Sequence, residues 1–200
     1  MNDILYLAWR YLRFNRGKTA VLVASISLIL FLPAALQVVV REGARTLTAR
    51  ADSSPLLVGS AGSAVDLTLG ALYFREPTLE PLVYTEAGRL AETGLATAIP
   101  LHLRYNVRGR RIVGTTLDYF EYRGLRIAQG RQMTRLGDCV LGARVARQRG
   151  IGAGDAVISS PESVFDLAGV YPLKMRVTGV LDWSDGPDDD AIFVDVKTAW

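Results

Sequence analysis

Five aspartates crowd into nine positions late in the sequence: Asp182, Asp185, Asp188, Asp189 and Asp190. Calcium takes six to eight oxygen ligands, and a loop carrying Gly186 and Pro187 could supply several of them. The spacing departs from the EF-hand loop, with no glutamate at its twelfth place, so the competing reading is a solvated acidic turn. Other reactive side chains are sparse. His102 is the single histidine, and any Ser-His-Asp or Cys-His arrangement would have to use it. The single cysteine, Cys139, precedes Val140-Leu141, the pattern of a buried strand in which a thiol is inert. Gly109 and Gly114 have the spacing of a phosphate-binding loop, but Thr115-Thr116 follow where Lys-Ser/Thr must stand. The small-residue loop Gly59-Ser60-Ala61-Gly62-Ser63 lacks that lysine too. These residues imply no catalytic group, no cofactor and no resident metal beyond the calcium question.

Arg104, Arg108, Arg110 and Arg111 form a basic cluster without interleaved aromatics beyond Tyr105. That suits a charged strand edge guarding against aggregation better than a binding surface for single-stranded nucleic acid. The charge distribution agrees. Residues 1–50 hold seven Arg/Lys against Asp3 and Glu42, a net of +5, whereas the remainder holds sixteen against eighteen, a net of −2. The basic character belongs to the N-terminal segment, which argues against a nucleic-acid partner.

The elements that must position these residues follow from periodicity. Leu101, Leu103, Tyr105 and Val107 alternate with polar neighbours over Leu101–Arg108, so a strand is expected there, with His102 on its wet face. Gly109-Arg110 turns it into a hairpin with 111–115. Asp118 opens a turn over Tyr119–Tyr122. Ala143–Arg149 reads as a short helix stopped by Gly150, followed by a Gly152–Asp155 turn into strand Ala156–Ile158. Leu173 to Trp183 alternates as a long strand with one buried face. Further upstream, Leu56-Leu57-Val58 looks like a strand, and Val65–Phe74 and Thr85–Glu92 like short helices joined through a Pro77/Pro81 segment.

Thr19 to Val40 dominates the N-terminal part. No charged side chain lies between Lys18 and Arg41, and a helix of that length reaches about 33 Å, enough for a hydrocarbon core of ~30 Å. A helix satisfies its own backbone in lipid, and Pro33 is expected to kink it rather than break it. A buried core helix would show a polar face, and only Ser25, Ser27 and Gln37 interrupt the apolar surface. A cleaved secretion signal shares the basic flank, but the apolar run outlasts a signal core of ~7–15 residues. Before the span, Ile4, Leu5, Ala8, Tyr11 and Leu12 share one helical face, flanked by Trp9. Such a helix lies in the headgroup interface or packs on a partner protein. Trp9, Arg10, Arg13, Arg16 and Lys18 are therefore the membrane-interface candidates. A short basic head is easily retained inside while a long domain is translocated, so the N-terminus is expected in the cytoplasm and the domain outside.

The resulting division is 1–18 interfacial helix, 19–40 transmembrane helix, 41–52 stalk and 53–200 extracytoplasmic domain. The fold class is α+β: a mixed or antiparallel sheet with short helices, carried on one N-terminal transmembrane helix. Within it, VGTTLDYFEYRGLRIAQGRQM, CVLGARVARQRGIGAGDAV and MRVTGVLDWSDGPDDDAIFVDVKTAW run in an order that resembles the extracytoplasmic domain of MacB/FtsX-type ABC transporter permeases. The amphipathic head and single span resemble the same family. Such permeases continue with three further membrane helices after this domain, so the resemblance covers the N-terminal portion of a subunit. It implies a permease of the bacterial inner membrane, working with a separate cytoplasmic ABC ATPase, a second permease copy (homodimer or paralogue), membrane lipid and, as a further candidate partner, a periplasmic adaptor. The work implied is export or extraction of an envelope substrate. Taken without the family, the same layout also fits a single-span, membrane-tethered binding or sensor module of the cell envelope.

Overall fold

The run of uncharged residues between Lys18 and Arg41 gives the longest element of the chain. In the computed structural model, which describes residues 2–76, 80–160 and 172–199, helix α1 (Asn2–Phe14) is followed at Asn15 by α2 (Arg16–Asp52). Pro77 of the expected connector and Trp200 lie outside the described residues. The chain divides into two units, Met1–Pro55 and Leu56–Trp200.

In the first unit α2 runs unbroken through Pro33 for 37 residues. At ~1.5 Å of rise per residue that is about 55 Å of helix, longer than the hydrocarbon core alone requires. It is the one helix among the described residues long and apolar enough to cross a membrane, and its most apolar window is 0% buried, which sets aside the core-helix reading. Polar side chains along it satisfy themselves locally. Ser25 donates its hydroxyl to the Val21 carbonyl at 2.9 Å, the back-bond open to a serine inside a helix. At the far end, the Ser53 and Ser54 hydroxyls donate to the Arg50 carbonyl, closing the last turn before Pro55.

The second unit begins with two helices, α3 (Ala64–Tyr73) and α4 (Tyr84–Glu92). Ser63 caps α3 by accepting the Asp66 N–H at 3.2 Å, the usual role of a serine at that place. Gly94 takes a left-handed φ of 68° just beyond α4, as a helix-terminating glycine does. The rest folds onto β1 (Asn106–Val107), β2 (Arg110–Thr115), α5 (Asp118–Tyr122), β3 (Ile127–Gly130), β4 (Asp138–Leu141), α6 (Ala143–Arg149), β5 (Ala156–Ile158), β6 (Lys174–Leu181) and β7 (Ile192–Asp195). Among the described residues these strands form one mixed sheet in the order β1-β2-β7-β4-β6-β3, with β5 also on β6. β2 runs parallel to β7 and β4 parallel to β6; the other pairings are antiparallel.

Alternation along β4 and β7 sends side chains to two cores. Cys139, Leu141, Ile192 and Val194 join Val145 and Ala146 of α6, whereas Val140 and Phe193 join Phe74, Tyr119 and Phe120 on the opposite face. Burying each such apolar side chain contributes roughly 1.5–3 kcal/mol.

Three sequence expectations change here. Leu56-Leu57-Val58 forms no strand: three apolar residues find no partner edge, and Leu56 and Val58 stay exposed. The strand expected over Leu101–Arg108 shortens to Asn106–Val107. Tyr105 still bonds Ile112 and His102 bridges Gly114, but the two pairings differ in register by one residue, so a bulge interrupts the ladder at 103–104. That bulge takes His102 off the wet face into a half-buried position, its ring 5.9 Å from that of Tyr105. Finally, β6 alternates only at its start. The register slips at Thr178, whose hydroxyl donates to the Cys139 carbonyl at 3.2 Å. From Val177 to Leu181 both faces are covered, because the two cores lie on either side of the sheet, Val177 and Val180 in one and Leu181 in the other. The hairpin does form, with its turn one residue earlier than the expected Gly109-Arg110, because Val107 pairs with Arg110. Arg108 and Gly109 both have positive φ, 47° and 83°, the pattern of a two-residue primed turn.

Candidate functional site

The acidic segment between β6 and β7 is a solvated connector only in its first part, where Asp182 and Asp185 are exposed. A 3₁₀ turn over Pro187–Asp190 folds it back, and Asp188 and Asp189 are 3% and 0% exposed. A buried carboxylate needs donors, and each finds different ones. Asp188 accepts the Tyr119 hydroxyl at 2.7 Å. Asp189 accepts the Ser184 N–H at 3.0 Å and its hydroxyl at 2.9 Å. Asp190 bridges Arg110 of β2 and Arg144 of α6, and Arg110 also donates to Gln148 Oε1 at 2.7 Å. Arg144 then lies over the indole of Trp183, 5.0 Å from the ring centroid, and that indole N–H donates to Asp185. At that distance the guanidinium is attracted to the negative face of the ring.

Backbone packing explains why this corner closes so tightly. At Gly142, between β4 and α6, an added Cβ would fall against the carbonyl oxygens of Asp188 and Asp189, so only glycine allows this approach. The Gly142 N–H also donates to the Ala191 carbonyl at 2.9 Å. The acidic turn therefore rests directly on glycine backbone. These carboxylates are directed at protein donors, not gathered around a shared centre; among the described residues no group of three His, Cys, Asp or Glu is arranged to hold a metal. Arg110 is turned inward, and Arg111 pairs with Glu76 at 2.9 Å while only 17% exposed, so these two arginines are ties between elements and not a charged fringe.

Asp138 is a second buried carboxylate, at the start of β4. Burial pushes its pKa up, but the N–H groups of Thr134 and Arg135 and the Arg176 guanidinium, 3.0 Å away, outweigh burial and hold the carboxyl below its ordinary value. Next to it, burial and then the Asp138 charge push the Cys139 thiol up to about 12. The thiol is therefore un-ionised at neutral pH and useless as a nucleophile.

The predicted membrane-interface residues lie on two helices. Trp9, Arg10 and Arg13 are on α1, and Arg16 and Lys18 are in the first turn of α2, all of them exposed. Arg10 reaches the Tyr6 hydroxyl at 3.5 Å, and Arg16 donates to the Arg13 carbonyl at 3.1 Å. That second contact caps the end of α1. The Thr19 hydroxyl donates back to the Leu12 carbonyl at 3.3 Å, fixing the bend around Asn15.

The family profile described as MacB-like periplasmic core domain matches residues 19–200, taking in the apolar part of α2 and the whole folded unit. The chain belongs to this family. The MacB-like unit is thus an extracytoplasmic domain of the ABC-transporter permease type. Its fold is similar to the crystal structure of the periplasmic region of MacB from Actinobacillus actinomycetemcomitans, with a TM-score of 0.50 at 16% identity over 70% of this chain. The chain spans 64% of the length of that structure. A domain of a permease-type protein from Porphyromonas gingivalis is matched at a TM-score of 0.33 and 15% identity, covering 44% of this chain and 37% of that one. No curated protein sequence matches significantly.

Sequence reasoning places the MacB-like motifs but misses what joins them. Tyr119 to Asp188 spans 69 residues and Arg110 to Asp190 spans 80, separations that no local pattern reveals. The one available signal is Gly142 in the Leu-Gly pair before α6, a glycine with no turn of its own to explain it.

Proposed function

We propose that this chain is the N-terminal portion of a permease subunit that relays the ATP-driven motion of a separate cytoplasmic ATPase to the MacB-like domain, for export or extraction of an envelope substrate. The observation that carries the reading is the family match over 19–200, which takes in an apolar helix and a folded domain together. In this arrangement residues 1–18 are the cytoplasmic interfacial helix, 19–40 the span, 41–52 the stalk and 53–200 the domain on the outer side of the bacterial inner membrane. Trp9 seats the head at headgroup level, and Arg10, Arg13, Arg16 and Lys18 hold it on the cytoplasmic side. A second permease copy completes the transporter, with lipid around the span and a periplasmic adaptor as a further partner.

Affinity purification of the tagged full chain from membranes, followed by mass spectrometry, tests the motor. A P-loop ATPase is expected to co-purify in stoichiometric amount, and at least tenfold less with the triple variant Arg10→Glu, Arg13→Glu, Arg16→Glu. Recovery of the chain with no ATPase overturns the reading. Orientation is read by labelling intact cells with a membrane-impermeant maleimide. Leu95→Cys is expected to react and Trp9→Cys to stay protected; the reverse pattern overturns the assigned topology.

A further inference from the structure

Four cations stand together just ahead of the uncharged run of α2, and no carboxylate answers them. Arg10, Arg13, Arg16 and Lys18 fall within nine positions, and the sequence holds no Asp or Glu between Asp3 and Glu42. All four are exposed. Arg10 reaches only the Tyr6 hydroxyl and Arg16 the Arg13 carbonyl, and among the described residues none of the four meets a carboxylate. Exposed arginines elsewhere do find one: Arg45 has Glu42 at 3.8 Å and Arg89 has Glu86 at 2.9 Å. Arg10 and Arg13, by contrast, are like charges at i and i+3 of α1, which repel. The bend at Asn15 then adds Arg16 beside them. Next to this charge lies apolar surface. Ile4, Leu7, Ala8, Tyr11 and Leu12 share one half of α1, and Ile4, Leu7 and Tyr11 are 76%, 70% and 69% exposed. Arg10 borders that half, with Leu7 and Phe14 at i−3 and i+4. The Thr19–Leu12 and Arg16–Arg13 bonds hold α1, the cations and the first turn of α2 together within one unit.

We propose that this basic bend binds the headgroups of anionic phospholipids in the cytoplasmic leaflet, and that their charge, beyond the apolar face, holds α1 down on the membrane. The inference rests on the interfacial-helix reading above and deepens it by naming the lipid. A soluble acidic partner would satisfy the cations but leave Ile4, Leu7 and Tyr11 in water. A zwitterionic surface takes up the apolar face but offers phosphates already balanced by their own amines. A lipid phosphate without that amine answers both halves of the helix. Each basic residue at an anionic surface strengthens docking about fivefold, an effect that fades within a Debye length of ~10 Å at 0.1 M salt. The four cations less Asp3 leave three net charges, which together favour the docked helix by about a hundredfold.

The full chain in lipid nanodiscs tests the assignment. Cys139 is fully buried, so a maleimide dye can be directed to Leu7→Cys on the apolar half of α1 or to Ser27→Cys within α2. Quenching by doxyl-labelled lipid reports contact with acyl chains. Leu7→Cys is expected to be quenched at least threefold more in discs holding about a third phosphatidylglycerol than in pure phosphatidylcholine. Raising NaCl to about 0.5 M is expected to remove that gain. The quadruple variant Arg10→Gln, Arg13→Gln, Arg16→Gln, Lys18→Gln is expected to keep its circular dichroism and its quenching in phosphatidylcholine while losing the response to phosphatidylglycerol. Equal quenching of Leu7→Cys in the two lipids, or an undiminished response in the quadruple variant, overturns the anionic-lipid assignment. Ser27→Cys separates this inference from the reading beneath it. Its dye is expected to be quenched equally in both lipids, and a dye there that is quenched in neither overturns the membrane span and the lipid assignment together.

Discussion

At the corner where β4 enters α6, the acidic turn is buried and each of its inward carboxylates has its own donor, while along α3 and α4 large apolar side chains such as Val65, Val83 and Leu95 stand in solvent. The usual assignment of polar groups to the outside and apolar groups to the inside is reversed between the two. The reversal separates structural from functional pressure. A buried carboxylate survives only if its hydrogen bonds are complete, so the acidic corner is a device for holding three elements at fixed distances. Apolar side chains as exposed as those of Val65, Val83 and Leu95 contribute little to the isolated fold.

Glycine substitutions give the largest contrast. Gly142→Ala drives a methyl group into the carbonyls of Asp188 and Asp189, which are backbone and cannot rotate away. It is expected to cost about 3 kcal/mol or more. Gly88→Ala lies inside α4 with nothing within 4 Å of the new Cβ. It is expected to stabilise by roughly 0.5–1 kcal/mol through helix propensity alone. Thermal unfolding of the detergent-solubilised chain reads both. A Gly142→Ala protein that melts with wild type would mean that the turn is not seated on the glycine.

Next in size is Asp189→Ala, which leaves the Ser184 N–H and hydroxyl without their acceptor. Its expected cost is ~1–3 kcal/mol. Asp138 differs from Asp189 in having an acid signature. Its folded-state pKa lies below the unfolded value, so its contribution is complete above the ordinary carboxylate value of 3.8 and is lost as pH falls through the lowered one. Asp138→Asn is expected to reduce stability at pH 7 by about 1–2 kcal/mol and to flatten the fall in stability below about pH 4. An unchanged acid limb in denaturant titrations from pH 2 to pH 7 would show that the Thr134, Arg135 and Arg176 contacts do not lower its pKa in solution.

How much of this is legible in the sequence depends on range. The 37-residue α2, the α6 helix with its Gly150 stop and the Arg108-Gly109 hairpin are governed by neighbours within a few positions, and the sequence displays those. The shortened first strand and the two-sided burial of β6 are decided by which strands lie alongside, through a bulge opposite Val113 and another at Thr178. Alternation in one strand carries no record of its neighbours. The acidic turn misleads for the same reason. Asp188 and Asp190 look as solvated as Asp182 and Asp185 until Tyr119, Arg110 and Arg144 arrive from distant positions to meet them. Helix α1 is legible as an amphipathic helix, and Trp9 and Arg10 need only α1 to place them.

The smallest expected effect is the one that bears most on the exposed apolar side chains. Val65→Ser and Leu95→Ser both replace a large exposed apolar group by a small polar one, and at 66% and 90% exposure neither has much burial to lose. Each is expected to change stability by no more than ~0.5 kcal/mol. A loss of about 2 kcal/mol or more at Val65→Ser alone, in chains kept monomeric by dilution into excess detergent, is the size expected of a buried side chain. That outcome would place Val65 inside the fold and end the contrast with the acidic corner.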